Sequence, residues 1–446
     1  MSLSGAIADA YWAVEGTDPG VADAARICLA DGLAVMAAAV ALEPVVTPFL
    51  DHADALGGAG RAKIIGRVRL VSAPMAALAN GALAHALDFE DTFEAGKIHP
   101  NASLIPAVLA LAQAEGASGG AVIRALGIGC DFACRLSLAL VDDPAQRGWY
   151  HPPILSGLGA TLGAAALLGL TARQAVDALG LFASQFMLSD ELKRSPESHL
   201  RAVREGLAAR AAVESVLLAR AGVRGVEHPL EGPSGVIAML SGRGPDPRTL
   251  LADIGRSFHG PEVAIKRWPC CRGTHSAIVA AQRFRGRGIN ADSIARVEVV
   301  ATPPNDMLFV PVENRVAPRS AIDAKFSIPF VFATAMETGE VSLDSFVPDR
   351  LRHPQTLVLS RKVSMHSLEQ TDAFESQFVL IMQDGTRFEE TITAIAPWRS
   401  GGLMLSDLAV KVQACLAHHG AGAEVPFLAA VAAIEKDGVD PIMALL

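Results

Sequence analysis

The chain has 446 residues, of which 51% are hydrophobic and only 19% are charged. This balance predicts a large buried core and excludes a disordered chain. The formal net charge is −9 and the sequence has no long run of basic residues, so nucleic acid is not expected as a partner. A chain of this length is expected to form two domains rather than one.

The N-terminal residues do not combine a basic segment, an apolar core and a small-residue cleavage site, so no signal peptide is expected. The uncharged apolar run at residues 32–42 is too short to span a bilayer, so no membrane partner is expected. Six cysteines are spread thinly over the chain. We therefore expect reduced thiols in a cytoplasmic protein.

Apolar residues at helical spacing dominate the chain from about residue 5 to about residue 260. The predicted helices cover residues 22–41, 76–87, 103–114, 120–140, 157–168, 172–186 and 190–221. Glycines at 157, 159 and 163 lie inside one of these helices and do not follow a strand. We therefore interpret them as small residues at a helix crossing rather than as a phosphate-binding loop.

The pattern changes near Pro261. Alternating apolar residues predict strands at 296–301, 356–366 and 374–393, with helices at 274–284 and 329–337. Asp384-Gly385 predicts a hairpin turn, and the chain becomes helical again from residue 403. The predicted fold is mainly α with an inserted α+β domain: residues 1–262 and 403–446 form a large helical domain, and residues 263–402 a smaller α+β lid domain.

Polar residues are concentrated between two apolar helices, at Asp88-Phe-Glu-Asp-Thr92 and His99-Pro100. Burying such groups is costly unless they are partnered, and chains tend to accept that cost at active sites. We interpret this stretch as an enzyme site in which carboxylates position a base and His99 moves protons. The alternatives are an acidic helix end with a structural histidine, and a metal site, which no His-x-x-His or His-Glu-x-x-His spacing supports.

Tyr150 and His151 lie side by side in a loop that is stiffened by Pro152-Pro153. The chain has only two tyrosines, so this neighbourhood is unusual within it. The two side chains have the chemistry of a general acid/base pair. A loop that places an aromatic side chain at an interface is the alternative.

A basic segment begins at Lys266, where helical sequence changes to strand sequence. Clefts are common at such domain boundaries. Lys266, Arg267 and Arg272 supply the positive charge that an acidic protein needs to bind carboxylates, and a desolvated lysine can also act as a base. A solvated basic turn is the alternative.

Five segments, in the same order along the chain, resemble the MmgE/PrpD family. They are Asn80-Gly-Ala-Leu-Ala-His-Ala-Leu-Asp-Phe-Glu-Asp-Thr92, His99-Pro-Asn-Ala-Ser103, Leu230-Glu-Gly-Pro-Ser-Gly235, Lys266-Arg-Trp-Pro-Cys-Cys-Arg-Gly-Thr-His275 and Asp323-Ala-Lys-Phe-Ser-Ile-Pro329. The family includes 2-methylcitrate dehydratase, cis-aconitate decarboxylase and iminodisuccinate epimerase. The resemblance implies a homodimer with no metal or other cofactor, and an interdomain cleft for a small di- or tricarboxylate.

Carried over by position, the resemblance places Asp88, Thr92, His99 and Lys266 at active-site positions of the family. His151 matches the family's histidine or lies one residue from it. We expect Asp88 and Asp91 to orient His99 and its loop.

The chain departs from the family pattern at two places. Arg201 aligns with a lysine that dehydrating and decarboxylating members usually carry, and Lys193 lies nearby at a different spacing. Tyr150 is inserted beside the histidine. An arginine binds carboxylates well but carries protons poorly. Arg201, with Arg267 and Arg272, is therefore expected to hold substrate carboxylates, and Asp91 to orient the loop.

Reactions of the family are expected to begin by removing a proton beside a carboxylate, which requires fixed positive charge. Dehydration needs a general acid in addition, whereas epimerisation needs a second proton carrier on the opposite face. Arg201 and Tyr150 favour an isomerase that most resembles iminodisuccinate epimerase, with Lys266 and Tyr150 as the opposed carriers and His99 or His151 as a substitute. The alternatives are a hydro-lyase or decarboxylase acting on a small tricarboxylate, and an inactive carboxylate-binding protein.

Overall fold

The computed structural model describes residues 2–195, 198–301, 307–367, 376–393, 395–420 and 424–446. The chain divides into two compact units, Met1–Ile265 with Trp398–Leu446, and Lys266–Pro397. Most described residues are helical and the sheets are small, so the predicted mainly α fold with a smaller α+β part is confirmed.

The helices of the first unit come from both ends of the chain. They are α1 (Leu3–Trp12), α2 (Pro19–Leu42), α3 (Thr47–Leu56), α4 (Ala73–Ala86), α5 (Pro100–Glu115), α6 (Gly119–Leu138), α7 (Pro152–Leu167), α8 (Ala172–Gln185), α9 (Leu200–Arg220), α10 (Val236–Ser241), α11 (Pro247–Leu251), α18 (Ala409–His419), α19 (Glu424–Ala432), α20 (Ile434–Asp437) and α21 (Asp440–Met443). Its strands are short and form two antiparallel pairs, β1 (Ala62–Lys63) with β2 (Leu70–Val71) and β3 (Ala264–Ile265) with β8 (Trp398–Arg399).

Helix α2 begins where Asp18 accepts hydrogen bonds from the backbone N–H groups of Gly20 and Val21. Such a cap satisfies donors that have no partner inside the helix. By length and composition alone this helix could cross a membrane, but 78% of its most apolar window is buried inside the protein. It packs against α4, α6 and α18, as a core helix does.

Glycines allow the helices of the first unit to approach closely. A Cβ atom on Gly81 of α4 would lie 2.6 Å from the Cα atom of Gly206 in α9. A Cβ atom on Gly159 of α7 would lie 2.5 Å from the carbonyl oxygen of Gly129 in α6. Only glycine fits at such contacts. The interpretation of the glycines in α7 as a helix crossing is confirmed.

The second unit combines helices with one four-stranded sheet. Its helices are α12 (His275–Gly286), α13 (Val312–Val316), α14 (Ala321–Lys325), α15 (Ile328–Thr338), α16 (Pro348–Leu351) and α17 (Pro354–Ser360). Its strands are β4 (Ile294–Ala301), β5 (Val363–Ser367), β6 (Ser376–Met382) and β7 (Arg387–Ile392), in the sheet order β5-β4-β6-β7.

The predicted hairpin is confirmed, because β6 and β7 pair antiparallel on either side of Asp384-Gly385. Residues 374–375 of that predicted strand lie outside the described residues. The strand predicted at 356–366 is wrong over its first half, where α17 forms instead. Thr356, Leu359 and Ser360 are buried, which is the spacing of one helix face. Pro354 at the first position suits a helix start.

Gly81→Ala is expected to lower the free energy of unfolding by about 1–3 kcal/mol, because the added methyl group forces α4 away from α9. The matched control is Gly120→Ala in α6, where a Cβ atom would meet nothing within 4 Å. The control should be neutral or stabilise the protein by up to about 1 kcal/mol. The midpoints of urea unfolding measure both effects, and equal midpoints for the two variants would contradict the packing argument.

Candidate active site

The site begins where α4 ends and the backbone turns sharply. Asp88 has a φ of 49°, in the left-handed region that side chains other than glycine seldom adopt. Its N–H group donates to the carbonyl of His85 at 2.9 Å. This turn leads directly into Glu90 and Asp91, both of which are buried. Backbone strain of this kind is concentrated at functional sites.

Two histidines share the carboxylate of Glu90. The Nδ1 atom of His99 donates to the carbonyl of Asp91 at 2.8 Å and lies 3.0 Å from Oε1 of Glu90. The Nδ1 atom of His85 bonds the same Oε1 atom. Because a carbonyl can only accept, His99 carries its proton on Nδ1 when it is neutral, and Nε2 is its basic nitrogen. The His99 side chain is 17% exposed, against 1% for that of His85.

The same group of side chains has the composition of a metal site. His85, Asp88, Glu90 and His99 each offer one donor atom, and these atoms lie within 4.8 Å of one another. Mixed imidazole and carboxylate sets suit divalent transition metals. The hydrogen bond between His85 and Glu90, and the ion-pair approach of His99 to the same carboxylate, also account for the short distances between these groups. The predicted absence of a metal stays a prediction.

Asp91 follows Glu90 in the chain, and its carboxyl group is buried. Burial raises its pKa to about 7, hydrogen bonds from Asn101 and Cys28 oppose the rise, and the charges of Asp31 and Glu90 add to it. Asn101 Nδ2 is the donor to Asp91 Oδ2. A carboxyl group with this pKa can give or take a proton near neutral pH.

Thr92 closes the loop that carries His99. Its backbone pairs with Ala264 through hydrogen bonds of 2.9 and 2.8 Å, and its hydroxyl donates to the carbonyl of Ile98 at 3.2 Å. The backbones of Phe93 and Ile98 also pair. The Thr92 hydroxyl proton thus holds the loop in place, and its predicted contact with substrate stays a prediction.

Tyr150 and His151 stand at the start of α7. The Tyr150 N–H group donates to the carbonyl of Leu188 at 2.9 Å, which ties this loop to the segment before α9. Burial lowers the pKa of His151 to about 4; Lys193 and Lys97 lower it further, while nearby carboxylates oppose the change. His151 is therefore neutral at physiological pH and can accept a hydrogen bond without becoming charged.

Two cations lie against the Tyr150 ring. The Nζ atom of Lys193 is 5.2 Å and the Cζ atom of Arg204 is 4.7 Å from the ring centroid. Both distances are within the range of cation–π attraction. Lys193 also pairs with Asp190 at 2.6 Å. The structure thus brings together Tyr150 and Lys193, which the sequence predicted, and Arg204, which it did not.

Three helices meet at the buried carboxyl group of Glu205. Its Oε2 atom accepts hydrogen bonds from Ser103 of α5 at 2.5 Å and from Ser156 of α7 at 3.0 Å. All three residues lie within the first two turns of their helices. Burial raises the pKa of Glu205; Arg204 and the two hydroxyls oppose this, and Glu90 adds to it.

The remaining basic residues that were predicted for the site belong to both units. Arg201 lies in the first turn of α9, and its carbonyl accepts a hydrogen bond from Arg204 Nη1. In the second unit, Lys266 is buried and Arg267 is exposed. Arg272 donates to the carbonyl of Ile395 at 2.8 Å. The roles proposed for these four residues in catalysis or substrate binding stay predictions.

Several polar residues of the site were not singled out from the sequence. They are His85, Asn101, Arg204 and Glu205. The first two lie inside segments that resemble the family, so their polar character within an otherwise apolar motif was a usable signal. Arg204 and Glu205 look like the solvated face of a charged helix, and only packing shows that they are buried.

A buried ion pair contacts the turn between Asp88 and Glu90. The Nζ atom of Lys411 in α18 lies 2.5 Å from Asp31 Oδ1 and donates to the carbonyl of Phe89 at 2.8 Å. It also lies 3.8 Å from the centroid of the Phe89 ring. Phe89 separates Asp88 from Glu90, so this pair positions the backbone between two carboxylates of the site.

Comparison with known families and proteins gives consistent matches. The model of the MmgE/PrpD N-terminal domain matches residues 6–248, and that of the MmgE/PrpD C-terminal domain matches residues 268–436. A cis-aconitate decarboxylase from Mus musculus is 28% identical over 361 residues, covering 76% of this chain and 71% of that protein. Enzymes of the same name from Aspergillus terreus and Homo sapiens are 26% and 25% identical, covering 70% and 76% of this chain and 67% and 72% of their own lengths.

Lys411→Met is expected to lower the free energy of unfolding by about 3–5 kcal/mol, because it leaves the charge of Asp31 buried beside an apolar side chain. The matched control is Lys436→Met, since Lys436 is exposed and should change stability by less than about 0.5 kcal/mol. Thermal unfolding of the two variants measures the difference. Equal melting temperatures would show that the buried pair does not support the turn.

Asp91→Asn is expected to change how stability depends on pH. The pKa of Asp91 is raised from 3.8 to about 7, so between these values the folded protein keeps a proton that the unfolded chain has released. Stability should therefore fall as pH rises through this window and level off above about pH 7, by about 1–4 kcal/mol in total. Asp91→Asn should lack this part of the decline when unfolding is measured between about pH 5 and about pH 8. Parallel curves for the two proteins would refute the assignment.

Proposed function

Because the chain belongs to the MmgE/PrpD family, we propose that it is a lyase that decarboxylates a small unsaturated tricarboxylate such as cis-aconitate. The three relatives compared above all carry the name cis-aconitate decarboxylase. They support the lyase alternative better than the epimerase favoured by sequence analysis. Identities of 25–28% support the reaction class more strongly than the particular substrate.

The hydrogen bonding of His99 is the observation that supports this proposal most directly. With Nδ1 donating to the Asp91 carbonyl, Nε2 is the nitrogen that exchanges protons. Glu90, 3.0 Å from the ring, stabilises the positive charge that His99 acquires when Nε2 is protonated. His99 in this state is a general acid held in one orientation by fixed partners.

In the proposed reaction, the bond between one carboxylate and its carbon breaks and carbon dioxide leaves. The electron pair of that bond is delocalised over the adjacent carbon–carbon double bond and the carboxylate conjugated with it. His99 then delivers one proton to a carbon of this delocalised anion and regains one from water. The reaction therefore consumes one proton for each carbon dioxide released.

Fixed positive charge must stabilise the developing anion. Lys193 lies beside Tyr150 and supplies such charge within the first unit. We propose that Arg201, Lys266, Arg267 and Arg272 hold the remaining carboxylates. His151, with its pKa lowered to about 4, accepts hydrogen bonds without adding charge. Asp88 contributes by shaping the turn before Glu90.

An isomerase that epimerises an iminodisuccinate-like amino-dicarboxylate is the second candidate. Its support is Tyr150, whose ring lies against two cations and whose hydroxyl would be a second proton carrier. A hydro-lyase that acts on a 2-methylcitrate-like substrate is the third candidate. We further propose a cofactor-independent homodimer in the cytoplasm, on the basis of family resemblance and the thinly spread cysteines.

The test is proton NMR in D2O with cis-aconitate, 2-methylcitrate and iminodisuccinate as separate substrates. The lyase predicts a five-carbon unsaturated dicarboxylate from cis-aconitate, with one deuterium at the protonated carbon. Deuterium entering iminodisuccinate with interconversion of its stereoisomers would establish the epimerase instead. A new alkene from 2-methylcitrate alone would establish the hydro-lyase.

His99→Gln should reduce turnover by about 10²- to 10⁴-fold, because glutamine cannot carry the proton. His228→Gln is the matched control, since the His228 side chain is 54% exposed and lies outside the cluster. Turnover should also survive removal of divalent metals by EDTA. Loss of activity in EDTA that zinc or manganese restores would identify the histidine–carboxylate cluster as a metal site.

A further inference from the structure

We propose that Arg204 forms a carboxylate-binding subsite with the Tyr150 ring and Lys193, and that it holds a carboxylate of the substrate that does not react. The inference rests on the proposed function for its substrate class, a small di- or tricarboxylate. It concerns a residue that sequence analysis did not select, one helical turn beyond Arg201.

The guanidinium of Arg204 is deeply buried and incompletely hydrogen-bonded. Its residue is 0% exposed, and Nη1 donates to the carbonyl of Arg201. The Nε and Nη2 atoms have no hydrogen-bond partner among the residues that the structure describes. Burying a cation with two donor atoms that lack hydrogen bonds costs free energy, unless an anion accepts hydrogen bonds from them.

The neighbouring carboxylate does not satisfy these donors. The distance from Arg204 Nε to Glu205 Oε1 is 3.6 Å, too long for a hydrogen bond. The other oxygen of Glu205 is held by Ser103 and Ser156, which fixes the orientation of this carboxyl group. The serines therefore direct Glu205 toward α5 and α7, and Nε and Nη2 of Arg204 stay without a hydrogen bond from the described residues.

The guanidinium of Arg204 is the main source of positive charge for an anion, because Lys193 is already paired with Asp190 at 2.6 Å. Lys193 and Arg204 both lie within about 5 Å of the Tyr150 ring, at 5.2 and 4.7 Å from its centroid. Lys193 is 29% exposed, so this end of the subsite is open to solvent. The planar fork of a guanidinium matches the two oxygens of a carboxylate, which a single ammonium does not. The subsite therefore suits an anion such as a carboxylate better than a neutral group.

The experiment measures binding of tricarballylate, an unreactive tricarboxylate, and of succinate to the full chain by titration calorimetry at low salt. Arg204→Gln should weaken binding of at least one of them about 10- to 100-fold, and Arg204→Lys by an intermediate factor. Arg210→Gln is the matched control, because Arg210 lies on the same helix and pairs with Glu214 at 3.8 Å. The control should bind like the unsubstituted protein.

A purely structural role for Arg204, as the counterion of Glu205, makes a different prediction. In that case Glu205→Gln and the double variant Arg204→Gln/Glu205→Gln would bind both probes equally well. The subsite predicts that the double variant, in which no buried charge is left unbalanced, folds but still binds about 10- to 100-fold more weakly than Glu205→Gln.

The outcomes separate this inference from the proposed function. Weak binding by Arg204→Gln would support the subsite. If the unsubstituted protein at the same time turned over no tricarboxylate, the subsite would stand and the lyase would be rejected. Turnover of cis-aconitate with unchanged binding and KM in Arg204→Gln would keep the lyase and overturn the subsite. Failure of the unsubstituted protein to bind either probe would overturn the subsite as well.

Discussion

Close approach between helix backbones is the constraint on which the first unit depends. Only 5% of the chain is aromatic, so few large side chains are available to fill space between helices. Dense packing then requires the backbones themselves to touch. Gly81 meets Gly206 where α4 crosses α9, and Gly159 meets Gly129 where α7 crosses α6. The first crossing buries Glu205, the residue before Gly206, and allows α5 and α7 to place serine hydroxyls on it.

The same packing removes water from ionisable side chains, and each must then find a partner or change its protonation state. Asp131 is partnered by Tyr11 at 2.6 Å and by Arg135 at 2.7 Å. Lys411 and Asp31 form a similar pair. Asp91 instead has its pKa raised to about 7. The first two arrangements stabilise the fold, whereas the third creates a group that can exchange a proton at neutral pH.

The groups that we propose for proton transfer and for anion binding both lie in the first unit. His99 precedes α5, and its imidazole is oriented by Glu90 and by the Asp91 carbonyl. Arg204 and Lys193 lie against Tyr150, just before α7. Glu205 contacts Ser103 of α5, the helix that His99 precedes, and lies 3.6 Å from its neighbour Arg204. Such a division suits a reaction in which one group moves a proton while others hold the remaining carboxylates in place.

The sequence by itself determined the mainly helical class, the β6–β7 hairpin and the family, because periodicity, turn residues and ordered motifs are local properties of the chain. It also selected His99 and Tyr150 as candidate site residues. Local pattern failed at residues 356–366, where a short alternation was compatible with both a strand and the helix that forms. Only tertiary structure selected Arg204 and Glu205. Their burial depends on a helix crossing between Gly81 and Gly206, which are 125 positions apart in the sequence, and no local pattern records that contact.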